Sequence, residues 1–376
     1  MSDNEAEFRT AMERLALVQR QVGEIGALVY ADPQWLHPDY TEPQVLYALR
    51  DLIKPGQTVF DVGANFGHLS VAMSRRAGPR GAVCAFEANP EIVKRCQATL
   101  GRSGCGNVQV FSAAVYGASR RRLQLYLSDN MVADSVSRKV SDRAIEVRTI
   151  ALDDFVADTG LVPDLVKMDI EGAEFDALCG FTRTIAKHAP MLILEQQPED
   201  DRCFRLLREH GYSAFDLRSY EWIESFAEIP QGVAVMDLLY ASGEQLAGTP
   251  YAGLIEKVVE AELSAKAFAW TSEQMYETPE PIGLPVGRYI VDVDFSVETD
   301  AEVKCGVAIG AVPIVQYHGR ADWLTRLART WVVTVEIEGP ASLFFQFPQQ
   351  RDPALLVSRA LIRRLPSFDG YAPLFT

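Results

Sequence analysis

The chain has 376 residues, 48% hydrophobic and 23% charged, a balance that excludes disorder and collagen-like repeats; at roughly 150 residues per domain it holds two or three domains. Lys and Arg total 36 against 51 Asp and Glu, a net charge of −15, and so acidic a surface repels phosphate backbones, which argues against a nucleic-acid partner. No apolar run approaches the ~20 residues that span a bilayer, and MSDNEAEFRTAMERL lacks the apolar stretch of a secretory signal; with no CxxC pair among Cys84, Cys96, Cys105, Cys179, Cys203 and Cys305, reduced thiols in a cytoplasmic protein are expected.

Taken in chain order, Phe8, Ala11, Leu15, Val18, Val22, Ile25 and Val29 recur at alternating steps of three and four, which predicts an amphipathic helix within an N-terminal helical segment, 1–50. Such a helix packs on its own domain or pairs with a second copy in a homodimer; the spacing fits both. A turn-rich stretch holding His37 follows, then a short helix through Leu46 and Leu49 that Pro55-Gly56 stops. From Thr58 the pattern changes. TVFDVGA (58–64), AVCAFEA (82–88), VQVFSAAV (108–115), DLVKMDI (164–170), PMLILEQ (190–196), YSAFDL (212–217) and VMDLLYA (235–241) read as apolar strands. Helices alternate with the earlier ones, which predicts an α/β domain over 51–245 with a parallel sheet covered on both faces. Ligands in such sheets bind beyond the carboxyl ends of the strands. Residues 246–286 read as one helix (YAGLIEKVVEAELSAKAFAW) and a Pro-rich linker (ETPEPIGLPVG). Beyond it the period falls to two, as in Tyr289, Val291, Val293, Phe295 and Val297, predicting an all-β, sandwich or jelly-roll-like module over 287–366. The segment 354–365 is read as its closing strand.

Three places carry chemistry. In DVGANFG (61–67) a strand ends at Asp61, the chain turns through Gly63 and Asn65, and a helix begins near Gly67 and His68. Glycines there let backbone approach a ligand, and a helix N-terminus offers N–H groups to a carboxylate. The G-x-x-x-G spacing is not the G-x-G-x-x-G of nicotinamide cofactors, which disfavours a dehydrogenase. The second strand ends in Glu87, placed to accept hydrogen bonds from both hydroxyls of a ribose; loop and acid together point to an adenosine-containing ligand. The fourth strand runs into Lys167, Asp169, Glu171, Gly172 and Glu174. Asp169 leaves the strand toward the ligand's reactive end, whereas Glu174 suits the dipole of a first helical turn. Arg120, Arg121, Arg122, Arg138, Lys139, Arg143 and Arg148 form either a solvated loop face or an attraction for an acidic acceptor.

VFDVGANFGHLS, CAFEANPE, VKMDIEGAEF and LILEQ resemble, in order, the motifs of the FkbM family of S-adenosylmethionine-dependent methyltransferases, over roughly residues 40–245. The resemblance implies a seven-stranded, Rossmann-like methyltransferase sheet with an antiparallel last strand. It implies that Asp61, Gly63, Asn65 and Gly67 surround the methionine part of the cofactor and that Glu87 holds the ribose. The stretch at Ala113-Ala114 then lines the adenine, and Asp169, Glu171 and Gly172 form the signature after strand four. Two departures stand out: His68 where the family often has an aromatic residue, and Ala88 where it usually has Pro.

The implied reaction needs an in-line acceptor and removal of its proton, for which His68, Asp169, Glu171 and Glu195 are the candidate catalytic residues, with His37 outside the main set. Asp169, Glu195 and Gln196 are the oxygen donors available should Mg²⁺ assist. The expected activity is O-methylation of a sugar or glycan hydroxyl, the acceptor free, nucleotide-linked or lipid-linked. Alternatives are a polyketide hydroxyl or peptide nitrogen as acceptor, or a glycan-binding protein with an inactive methyltransferase domain. The β-module resembles carbohydrate-binding modules, with Tyr317, Trp323 and Phe344 as candidate sugar platforms; a dimerisation or lid role fits it equally.

Overall fold

Strands that are apolar on both faces must be covered on both faces, and that requirement organises the chain. In the computed structural model, residues 18–22, 27–31, 43–128, 134–229, 236–253, 255–272, 275–297, 302–309, 312–320, 330–335, 339–346 and 355–368 are described. The N-terminal part is not helical where it is described: β1 (Val18–Val22) and β2 (Ala27–Ala31) pair as an antiparallel hairpin. The heptad spacing there is carried by β-branched valines and interrupted by Gly23 and Gly26, both poor helix formers, so strand pairing wins. The rest of the expected helix, residues 5–17 and 23–26, lies outside the described residues.

Helix α1 (Pro43–Leu52) leads into β3 (Thr58–Val62), α2 (His68–Ala77), β4 (Ala82–Glu87), α3 (Pro90–Arg102) and β5 (Val108–Ser112). The expected third strand breaks at Ala113: β6 (Ala114–Val115) leaves the main sheet to join β7 (Arg122–Tyr126) and β8 (Ala144–Ile150). Then come α4 (Leu152–Thr159), β9 (Leu165–Met168), α5 (Glu174–Cys179), α6 (Thr182–His188), β10 (Met191–Gln196), α7 (Arg202–Glu209), β11 (Ser213–Asp216), β12 (Glu221–Ile223), β13 (Met236–Ala241) and α8 (Gly243–Leu246). The main sheet runs β12-β11-β13-β10-β9-β3-β4-β5, eight described strands rather than seven. The extra one, β12, folds back on β11, its short mixed sequence giving no strand signal. β5, β4, β3, β9 and β10 are parallel, and β13 is antiparallel to both of its neighbours. One face of the sheet packs against α1, α2 and α3 and the other against α4 to α7. Among the described residues, no helix is long and apolar enough to cross a membrane.

The segment expected as helix plus linker is neither. It forms β14 (Val258–Ser264), β15 (Ala269–Ser272), β16 (Met275–Glu277) and β17 (Ile282–Leu284). VVEAEL has few side chains to fill an apolar helical stripe, while β23 (Leu355–Arg364) offers a ladder for it to join. With β18 (Gly287–Val297), β19 (Glu302–Ile309), β20 (Val312–Arg320), β21 (Thr330–Val335) and β22 (Gly339–Gln346) these make two antiparallel sheets, β14-β23-β18-β21 and β15-β16-β22-β19-β20, with β17 on β22. The period-two pattern decides what each face does. Tyr289, Val291, Val293 and Phe295 join Val303, Cys305, Val307 and Phe345 in a core of the β-region's own. The alternate residue Ile290, with Val332, Leu365 and Phe368, enters the core cluster of the α/β sheet. Phe344 is buried and so offers no ring to a sugar; Trp323 and the side chain of Tyr317 lie outside the described residues.

The two regions are also joined by charge. Arg288, 1% exposed, forks onto Asp51 at 2.6 and 3.3 Å, donates to the Tyr220 hydroxyl at 3.2 Å, and lies over the rings of Tyr47 and Phe368. Arg50 and the Tyr251 hydroxyl also donate to Asp51. Removing one partner of a buried pair strands the other charge, a cost of about 3–5 kcal/mol. Arg288→Ala is therefore expected to lower the free energy of urea unfolding by about that amount, with the β-region and the α/β sheet melting at a common, lower midpoint.

Candidate functional site

The loop after β3 is held from beneath and from the side. Gly63 and Ala64 both donate to the Phe86 carbonyl at 2.9 Å, and Asp169 N–H donates to the Val62 carbonyl at 3.0 Å. Gly63 has φ +83°, and a Cβ there would lie 1.8 Å from the Asp169 carbonyl oxygen. The glycine is thus required twice, by conformation and by contact. Gly67, φ +85°, opens α2 with its backbone pressed against Cys96. Asn65, at φ 48°, is one of the non-glycine residues in the left-handed region.

Glu87, 8% exposed at the end of β4, turns toward this loop. One carboxylate oxygen accepts the Asn65 N–H at 3.0 Å and the other accepts the Asn89 N–H at 2.8 Å. Burial pushes its pKa up to about 7 despite those two bonds. Ala113 N–H donates to the Glu87 carbonyl at 3.0 Å, and Ala88 packs with Ala114, Leu125 and Val147, so small side chains flank the acid. Asp61, fully enclosed, accepts from Ser70 of α2 and braces the loop from behind. Its second oxygen is buried without a partner, and burial raises its pKa.

At the ends of β9 and β10 a second group of acids meets. Asp169, Glu171 and Glu195 are half-buried, and one carboxylate oxygen of each lies within 4.8 Å of the others. Asp169 accepts from Lys167 at 2.9 Å and shares a hydrogen bond with Glu195. Burial pushes the Asp169 pKa upward, and the Lys167 charge with the hydrogen bonds from Lys167 and Glu195 outweighs it, leaving the group below its ordinary value. Glu171 is raised to about 7 by burial and then by Asp169. Its backbone has φ 55°, and its carbonyl accepts from Ser135 at 2.8 Å and Ser137 at 3.2 Å, while its carboxylate faces Arg138 at 3.5 Å. Glu174 caps the turn, accepting from Ile170 and Gly172 at 2.8 and 3.3 Å.

Gln196 does not join the acids. It points to the opposite face of β10, as adjacent strand residues must, where its amide oxygen accepts from Tyr240 and its amide nitrogen donates to the Asp200 carbonyl. Glu171 occupies the third place assigned to it. His68 is held neutral, its pKa lowered to about 4 by burial and then by Lys167, which makes it a weak base. His37 lies outside the described residues. The sequence reading missed Asp237, buried on β13 directly opposite Glu195 and accepting from Gln44 of α1 at 2.8 Å; an acid inside the otherwise apolar VMDLLYA was its signal. It also missed the Ser135 and Ser137 strap, which only long-range contact reveals.

This geometry makes Gly63→Ala a sharp test. A backbone carbonyl at 1.8 Å cannot give way as a flexible side chain would, so the loop must move, at a cost of about 3 kcal/mol or more. The midpoint of thermal unfolding is expected to fall accordingly, whereas Gly101→Ala, with open space around it and no positive φ, should change far less.

The part of the chain that holds these residues is similar to known proteins. Residues 61–214 match the family model described as "Methyltransferase FkbM domain". The chain is 28% identical over 207 residues to the AMB antimetabolite synthetase AmbE of Pseudomonas aeruginosa, covering 43% of this chain and 10% of that protein. It is 29% identical over 147 residues to the hexuronic acid methyltransferase AglP of Haloferax volcanii, covering 38% and 58%. It therefore spans less than two thirds of the length of each of these relatives. A solved FkbM methyltransferase from Methylobacillus flagellatus KT aligns at 16% identity and a TM-score of 0.33, covering 49% of this chain and 43% of that one. The matched stretch, 61–214, runs from the end of β3 through the glycine loop to β11 and is similar to FkbM methyltransferase domains, and a C-terminal β-rich region lies beyond it.

Proposed function

We propose that this chain is an S-adenosylmethionine-dependent methyltransferase acting on a hydroxyl of a sugar or glycan. The observation that carries the cofactor is the Glu87 carboxylate bonded at 3.0 Å to the Asn65 N–H of the glycine loop. An acid and a backbone loop that share one wall suit a ribose at the first and an amino-acid tail at the second. When bound, the cofactor supplies a methyl on a sulfonium, whose S–C electron pair returns to sulfur as the methyl bonds to the acceptor oxygen. In this reading Asp169, Glu171 and Glu195 are the groups that take the acceptor's proton. Among them Glu171, raised to about 7, is matched to proton removal near neutrality, and His68 is not. The sugar reading is supported by the name of the Haloferax relative and by the β-region, read as a sandwich docked beside the α/β sheet. A second reading adds a divalent cation at Asp169, Glu171 and Glu195, favoured by their 4.8 Å grouping. Turnover that falls on exhaustive chelation and returns with Mg²⁺ supports it, and turnover that persists removes it.

Two measurements test the main reading. S-adenosylhomocysteine should bind by calorimetry, with affinity rising from pH 6 to 8 as Glu87, poised at about 7, becomes the ionised acceptor of ribose hydroxyls; Glu87→Gln should weaken binding about tenfold to a hundredfold and flatten the pH dependence. With labelled cofactor and a panel of nucleotide sugars, glycans and lipid-linked sugars, label is expected on a sugar. Label confined to peptides would overturn the acceptor class.

A further inference from the structure

Lys167 is 4% exposed, and the function above leaves its charge unexplained. Burying an ammonium costs several kcal/mol unless opposite charges surround it. Here they do. Asp169 lies at 2.9 Å, and Asp61 stands directly opposite Lys167 across the β3–β9 ladder. On the other side, Lys167 aligns with Ile193 and Ile193 with Leu239, which brings Asp237, two residues from Leu239, to the same face. Its positive charge opposes the effect of burial at Asp61, Asp169 and Asp237 alike. The lysine is thus a common counter-charge for acids that come from three different strands.

We propose that Lys167 is a specificity-setting residue that keeps these carboxylates from over-binding a cationic sulfonium relative to the neutral thioether left after transfer. The inference rests on the cofactor reading given above. Transfer removes the positive charge from sulfur, so carboxylates with no counter-charge would stabilise the bound reactant more than the transition state and slow the reaction. A buried ammonium offsets that field without occupying the space of either ligand.

The test needs no acceptor. Calorimetry on the full chain compares sinefungin, whose ammonium stands in for the sulfonium, with neutral S-adenosylhomocysteine. In Lys167→Met the ratio of sinefungin to S-adenosylhomocysteine affinity is expected to rise about tenfold, and in Lys167→Arg to stay within about twofold of the unsubstituted protein. A lysine that serves packing alone would weaken both ligands together, and an unchanged ratio in Lys167→Met overturns the proposal. Should that variant not fold, Asp237→Asn keeps the lysine, removes an opposing carboxylate, and is expected to lower the same ratio about threefold; no change there is equally fatal. Unsubstituted protein that binds neither ligand defeats the cofactor reading and this inference with it. Unsubstituted protein that binds both, with a ratio indifferent to the substitutions, defeats this inference alone.

Discussion

The contact of Gly63 with the carbonyl of Asp169 fixes the distance between the two loops that make the site. β3 and β9 are neighbours in the sheet, so the loops at their carboxyl ends emerge side by side, and only a residue without a side chain lets the two backbones touch. Once they touch, Glu87 on one flank and Asp169 on the other have little freedom. Asn65 is bonded to the first, and Lys167 and Glu195 to the second. The site is stiff because rigid strand ends supply it and each acid has at least one fixed donor.

Electrostatics then divide the acids by task. Asp61 is sealed under α2 and shapes the loop; Glu87 faces the loop itself; Asp169, Glu171 and Glu195 gather where β9 and β10 end. Similar carboxyl groups acquire different proton affinities because burial and donors differ from one to the next. Lys167 lowers Asp169, while at Glu171 burial and the neighbouring Asp169 outweigh the charges of Arg138 and Lys167 and push the group upward.

The β-region is more than an attached module. Its strand β18 alternates, sending Tyr289, Val291 and Val293 into its own core and Arg288 and Ile290 toward the α/β sheet. The buried fork of Arg288 on Asp51 gives the two regions one fixed orientation, because planar bidentate pairing tolerates little rotation. Whatever the β-region contributes, it does so from a set position beside the sheet.

The range of the forces involved decides how much of this is legible in the chain. The strands β3, β4, β5, β9, β10, β11 and β13, the glycine loop and the acids at the ends of β4 and β9 were legible because hydrophobic runs, turn glycines and acids at strand ends are local signals, whereas β7, β8 and β12 carry no such signal. The N-terminal hairpin and β14 were not, since heptad spacing and strand pairing compete there and the pairing partner decides. Gln196 was misplaced for want of strand parity, and Asp237 was overlooked because its neighbours, Gln44 and Glu195, lie far away in sequence. Sequence alone determined which residues end the strands and what chemistry they carry. Only the tertiary structure decided which of them meet, how deeply each carboxyl is buried, and hence which is held ionised and which is poised near neutrality, because proton affinity depends on desolvation and on charges brought together by the fold.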